Sequence, residues 1–256
     1  MSLPTHQGTA SAALTRLSVR AAQLLGIPRD RYAHLLGLAP QELNDDLCRL
    51  PSTTSNRIAE MTTVYAPWAE VSQLLAQQSS IGTLGVWDYL ITCASTPLEG
   101  VKDAAAYFAT VLDTACDSLL VTEDADQVTI THINRADRTH EAACAIRAYA
   151  LGLYQQRLSE AAQRHLIPVR VTLDAAPPPR HNALSELYAT VAIEFDAPTS
   201  SITFRRSDVA APAPHAQPGL AALIRRHAEH QLTTRHRAAR LAGPLPHRPG
   251  FRPPRR

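Results

Sequence analysis

The apolar residues of this 256-residue chain change their spacing about halfway along, and that change constrains the fold more than any other feature. Up to about residue 112 they recur every three or four positions, as in LTRLSVRAAQLL at 14–25, which predicts amphipathic helices. Beyond that point, SLLVT at 118–122 and QVTITHI at 127–133 are rich in β-branched residues and predict a β-hairpin. The chain therefore begins with helices and continues into a sheet.

The second half alternates between strand and helix patterns. A long helix follows the hairpin, and the strictly alternating PVRVTLD at 168–174 predicts a half-buried strand. A short helix at 183–188 and two strands in VAIEF and SITF complete the order ββαβαββ. The sequence thus predicts an α+β fold, with a helical N-terminal segment and a mostly antiparallel sheet covered by helices.

Two predictions about the N-terminal half concern helix starts. Pro40 can open a helix that carries Leu43, Leu47 and Leu50 on one stripe. The stretch 79–108 contains two glycines three residues apart, but it has neither a preceding strand nor the Gly-Lys-Ser/Thr of a phosphate loop. We therefore interpret the glycines as a helix entry.

Composition divides the chain into three regions. The body is mildly acidic, whereas residues 235–256 contain seven arginines, five prolines and no acidic residue. We expect a disordered N-terminus at 1–13, a folded domain at 14–234, and an Arg/Pro-rich disordered tail at 235–256.

Bulk features exclude several classes of protein. The chain has 45% apolar and 19% charged residues. No apolar run approaches the ~20 residues of a membrane span, and the first residues do not show the pattern of a signal peptide. We expect a soluble cytoplasmic protein. The four cysteines are far apart without a Cys-x-x-Cys pair, which indicates neither a disulfide framework nor a cysteine zinc site.

Three segments resemble the arabinose-binding-type sensor domain of AraC-family transcriptional regulators. DLCRLP at 46–51 is similar to a D-x-x-R-aliphatic-Pro pattern, and GTLGVWDYLITCASTPLEGV at 82–101 is similar to G-x-L-G-x-x-x-x-L-x-x-S-x-T-L-x-E-A-L. FDAPTSSITFRRSDV at 195–209, followed by PGLAALIRRHAEHQL, is similar to the strand pair and closing helix. The chain departs from the pattern in having Gly100 where alanine is usual and Pro97 before Leu98.

The resemblance implies a domain that binds a small-molecule effector, forms a homodimer or a heterodimer with a related regulator, and acts on DNA only indirectly. Family members continue into two helix-turn-helix units, which the tail at 235–256 does not match. We hypothesise a truncated or frameshifted regulator, because the tail composition is typical of GC-rich DNA read in the wrong frame. The alternative is a stand-alone small-molecule-binding or dominant-negative partner protein.

The candidate effector-binding residues are aromatic side chains on helices that face the sheet, and cations able to meet a carboxylate. The aromatic candidates are Trp87, Tyr107, Tyr149 and Tyr154, and the cationic ones are Arg138 and His132. The alternative for each aromatic residue is plain core, because aromatic residues at helical spacing fill interiors more often than they contact ligands.

The sequence gives little support for a metal site, a catalytic site or a cofactor site. His140, Glu141 and Cys144 have only part of a helical metal motif, and no nucleophile elbow or dinucleotide loop is present. We therefore expect no enzyme, metal or cofactor. A weaker alternative is nonspecific nucleic-acid binding through Arg–phosphate contacts of the tail. The tail candidates are Arg235, Arg237, Arg240 and Arg248.

Overall fold

The computed structural model describes residues 8–36, 43–45, 47–114 and 117–241, with side chains up to Thr234. The first part is helical apart from two short strands. Its elements are β1 (Thr9–Ser11), α1 (Ala12–Leu24), α2 (Asp30–Leu36), β2 (Arg49–Pro51), α3 (Ser52–Tyr65), α4 (Trp68–Gln77), α5 (Val86–Thr92), α6 (Pro97–Ala106) and a 3-10 turn (Phe108–Thr110).

The second part contains the sheet. Its elements are β3 (Asp117–Glu123), β4 (Gln127–Asn134), α7 (Glu141–Ala162), β5 (Arg170–Thr172), α8 (Asn182–Tyr188), β6 (Ile193–Glu194), β7 (Ser200–Arg205), α9 (Arg206–Val209) and α10 (Pro218–Leu241). The ββαβαββ order and the α+β class predicted from the sequence are confirmed.

The five strands lie in the order β3-β4-β7-β5-β6. All neighbours are antiparallel except β5 and β6, which run parallel. In the β3–β4 ladder Asp117 is opposite Asn134, at the end of the sheet where β3 begins. Directly opposed residues of an antiparallel pair project to the same face, so this register brings two polar side chains together.

Helix α7 is the centre of the domain. It packs against α3, α4, α5 and α6 and against strands β4 and β7. It is buried almost all round, because small alanines along its length let neighbours approach from several sides. Any group that α7 carries inward therefore lies between the helical half and the sheet.

The glycine stretch before α5 is a helix entry, as predicted. Gly82 and Gly85 have φ angles of +88° and +62°, a backbone region that side chains with a Cβ rarely adopt. The following Thr96 caps α6, since its hydroxyl accepts a hydrogen bond from the Glu99 N–H at 3.1 Å.

The ends of the domain differ from the sequence-based boundaries. Thr9–Ser11 pairs with Arg49–Pro51 as an antiparallel ladder, although 1–13 was expected to be disordered. Leu50, expected on a helix opened by Pro40, lies in β2, and residues 37–42 and 46 are outside the described residues. Helix α10 continues to Leu241, beyond the expected boundary at 234.

No helix in the described part of the chain is long and apolar enough to cross a membrane.

Candidate ligand-binding site

A cavity of about 90 Å³ lies between α1, α3, α4, α7 and the end of the sheet where β3 begins and β4 ends. Its apolar wall is formed by large side chains from both halves of the domain. These include Leu14, Leu17, Leu75, Leu112 and Ile146. A void that can hold one water measures about 10–15 Å³, so this cavity has room for several water-sized groups.

Helix α3 makes this space because it presents a stripe of small side chains. Ser52, Ser55, Ala59 and Thr62 recur at helical spacing and line the cavity. A different face of this helix carries Ile58, which packs with Tyr32 of α2 in a second, smaller core. The spacing of these small residues is visible in the sequence, but the sequence analysis did not predict a cavity from it.

Asp117 supplies the charged group of the cavity wall and is 7% exposed. Its Oδ1 accepts a hydrogen bond from the Asn134 amide at 2.6 Å and lies 3.2 Å from His132 Nε2. The other ring nitrogen, His132 Nδ1, lies 2.8 Å from the Tyr154 hydroxyl. The Asp117 carboxylate thus lies at one end of a buried chain of polar contacts that continues through His132 to Tyr154.

Tyr149 is the one aromatic candidate that lines this cavity. Its hydroxyl lies 3.0 Å from Ser79 Oγ, and burial raises the pKa of Tyr149 to about 12. The phenol is therefore uncharged at neutral pH and can act only as a neutral donor or acceptor.

Trp87 and Tyr154 lie in the main core and do not line the cavity. The Trp87 indole N–H donates to the Ala104 carbonyl at 2.9 Å, and its ring packs against Phe108 and Tyr154. Burial raises the pKa of Tyr154 well above its ordinary value. Both side chains are satisfied within the protein, which matches the alternative interpretation as core.

Tyr107 and Arg138 lie away from the cavity. The half-buried Tyr107 donates its hydroxyl proton to Glu229 of α10 at 2.8 Å, and this hydrogen bond raises the pKa of Tyr107. Arg138 donates to the carbonyls of Asp174 and Ala197 at the edge of a surface groove of about 610 Å³. These hydrogen bonds hold Arg138 against the loops that contain Asp174 and Ala197.

The remaining candidates are those for metal binding and for nucleic-acid binding. Among the described residues, no cluster of three or more His, Cys, Asp or Glu is placed to hold a metal. Burial raises the pKa of Cys144 to about 11, which disfavours the thiolate that binds metals.

The candidates for nucleic-acid binding lie at or beyond the end of α10. Only the backbone is described at Arg235, Arg237 and Arg240, in the last turns of this helix, and Arg248 lies outside the described residues.

A buried ion pair between α5 and α7 was missed from the sequence. Arg157 Nε donates to Asp88 Oδ1 at 2.6 Å, and the two side chains are 2% and 0% exposed. Arg157 also donates to the carbonyls of Ser79 and Ser80, so it fixes the loop that leads into α5. The partners are 69 positions apart, and neither carries a local motif.

Comparison with known proteins identifies the class. Residues 26–213 match the family described as the N-terminal arabinose-binding domain of AraC transcription regulator, and the chain belongs to this family. This is the family of regulator sensor domains that the sequence resembled; it is not a catalytic family.

One solved structure illustrates the likeness. The transcriptional regulator CdpR from Pseudomonas aeruginosa superimposes with a TM-score of 0.56 at 14% sequence identity, which shows a shared fold. The match covers 80% of this chain and 59% of that regulator. A search of curated proteins found no significant match.

Proposed function

We propose that this chain is the effector-sensing and dimerisation part of an AraC-type transcriptional regulator, and that its effector binds in the cavity between α1, α3 and α7. The observation that carries the proposal is the cavity itself. It combines apolar walls with a few fixed polar groups, as small-molecule sites usually do. Family membership supports the sensing role.

The position of α1 supports a response to binding. Its N-terminus is tied to other parts of the domain, because Ser11 N–H donates to the Val111 carbonyl and Ala12 N–H to the Cys48 carbonyl. Leu14, Leu17 and Ala21 of the same helix line the cavity. A ligand that contacts both α1 and α7 would therefore favour one arrangement of the two helices over others.

A row of contacts leads from the cavity toward the end of the domain. Tyr149 contacts Ser79, Arg157 binds the Ser79 carbonyl, and Asp88 of α5 pairs with Arg157. Helix α5 in turn packs against α10, the last described helix. Through this row, occupancy of the cavity would bias the position of α10 and any unit attached to it.

The proposed partners are those expected for a sensor domain of this family. The effector is a small molecule, and the chain forms a homodimer or a heterodimer with a related regulator, with DNA reached only through a helix-turn-helix region. Sedimentation velocity, alone and after mixing with a full-length relative, tests the dimer. A strict monomer in both experiments contradicts it.

The sensing role is tested by metabolite capture. The purified chain is incubated with a bacterial small-molecule extract, washed, denatured and analysed by mass spectrometry. Ala59→Leu fills the cavity and should abolish retention of the effector, whereas Ala222→Leu, at an exposed position of α10, should retain it.

A metabolite enriched by the wild type and Ala222→Leu but not by Ala59→Leu supports the proposal. Enrichment of nothing, or equal enrichment by all three proteins, contradicts it. Circular dichroism of each variant establishes that the domain is folded before the comparison is made.

A further inference from the structure

We infer that the effector of this cavity is a small organic cation, with a protonated amine that pairs with Asp117 and a short hydrocarbon body. This inference rests on the proposed function, because it names the chemical class that the same cavity accepts. It depends on three features: the free oxygen of Asp117, the local charge balance, and the apolar side chains that form one side of the wall.

The first feature is an unused acceptor on a deeply buried carboxylate. Both side-chain contacts of Asp117, with Asn134 and His132, use Oδ1. Oδ2 has no hydrogen-bond partner among the described residues, although the residue is only 7% exposed and lines the cavity. A buried carboxylate normally gains such a partner, because losing its hydration without one is costly.

The second feature is the charge balance at this end of the sheet. Arg147 is the nearby buried cation, but its guanidinium donates to the carbonyls of Asn134 and Ala136, and its Nε lies 3.5 Å from Asp174 Oδ2. Arg147 is therefore paired with Asp174, and the side chains that contact Asp117 are the Asn134 amide and the His132 ring. A cation in the cavity would complete this balance.

The third feature is the opposite wall. Leu14, Leu17, Leu75 and Ile146 offer no hydrogen bond, so the part of the ligand that packs against them is expected to be hydrocarbon. The volume of about 90 Å³ favours a body of only a few carbon atoms. An anionic ligand is disfavoured by Asp117, and an alcohol would form a weaker, uncharged hydrogen bond.

The test compares three probes of similar size, n-butylamine, n-butanol and butyrate, by ¹H–¹⁵N NMR titration of the whole chain. We expect n-butylamine to bind most tightly and to shift amides of α1, α3 and α7. Asp117→Asn should weaken n-butylamine binding by about tenfold or more while leaving n-butanol binding nearly unchanged. Asp126→Asn, in the exposed β3–β4 turn, is the matched control and should change neither.

The wild-type comparison alone can overturn the inference, so it does not depend on how well Asp117→Asn folds. Equal or tighter binding of n-butanol or butyrate, or no binding of any probe, rejects an amine ligand. Unchanged n-butylamine affinity in a folded Asp117→Asn variant rejects the role of this carboxylate.

Failure of this inference is distinguishable from failure of the proposed function. A captured metabolite that is neutral or anionic, and that Ala59→Leu no longer retains, supports the sensing cavity and rejects the amine class. Absence of any retained metabolite rejects the sensing role itself. Loss of n-butylamine binding in Ala59→Leu would place the probe in this cavity.

Discussion

At the scale of single residues, the Asp88–Arg157 pair joins α5 to α7 through two buried charges. Both charges are removed from water, so the hydrogen bonds that the two side chains form decide whether the arrangement is favourable. Asp88 Oδ2 accepts the Leu84 N–H at 3.0 Å while Oδ1 accepts from Arg157 Nε, and Arg157 Nη2 donates to the carbonyls of Ser79 and Ser80. Such a network fixes one geometry rather than adding much net stability.

We predict that Asp88→Asn lowers the free energy of unfolding by roughly 3–5 kcal/mol, because it leaves the guanidinium of Arg157 buried without a counter-charge. The control is Asp208→Asn, which breaks the pair with Arg164, where the side chains are 32% and 50% exposed. It should cost less than about 1 kcal/mol, since solvent screens that pair. Urea unfolding monitored by circular dichroism measures both, and equal losses would contradict the argument.

At the scale of elements, the crossing of α5 and α6 is set by a glycine. A Cβ built on Gly100 would lie 2.6 Å from the Ile91 carbonyl oxygen and 2.7 Å from Ile91 Cα. These are backbone atoms of the neighbouring helix, so they cannot move aside as a side-chain end could. The departure from the alanine that is usual in the family thus has a physical counterpart in a closer helix pair.

Gly100→Ala is therefore expected to destabilise the domain by about 1–3 kcal/mol, the usual cost of overpacking. Helix propensity acts the other way by about 1 kcal/mol and is outweighed. Gly219→Ala in α10 is the matched control, because nothing lies within 4 Å of its added Cβ. Thermal unfolding of the two variants gives the comparison, and a stabilised Gly100→Ala would show that α5 and α6 can separate freely.

At the scale of the whole molecule, the cavity borders α1, α3, α4 and α7, whereas the closing helix α10 packs against α5. The Tyr149–Ser79 contact is the link in the row between them that a conservative substitution can remove. Ser79→Ala leaves the backbone carbonyl that Arg157 binds, so the ion pair with Asp88 is retained. Ser79→Ala therefore removes the contact with Tyr149 without removing the ion pair that holds α5 against α7.

We predict that n-butylamine slows amide hydrogen exchange in α7 and α10 of the wild type, and that Ser79→Ala keeps the effect on α7 but loses it on α10. The reason is that the Tyr149 hydroxyl no longer transmits a shift to the loop before α5. Ser80→Ala is the neighbouring control and should behave as wild type. If α10 still responds in Ser79→Ala, the signal uses another route.

The local features of this protein could be predicted from its amino-acid sequence. Apolar spacing gave the helices, β-branched alternation gave the hairpin, and Thr96 with Pro97 gave the start of α6, since each depends on neighbours within a few positions. The motif at 82–101 also indicated the family, which the comparison with the family confirmed.

The positions at which these elements meet depend on the three-dimensional packing of the domain. It joined Thr9–Ser11 to Arg49–Pro51, paired Asp88 with Arg157, and placed Asp117 and Tyr149 in the wall of one cavity. Each of these contacts joins residues that are tens of positions apart, so it depends on how helices pack and on strand register rather than on any local pattern. The candidate cavity follows from the same cause, because a stripe of small residues becomes a void only when large neighbours close around it.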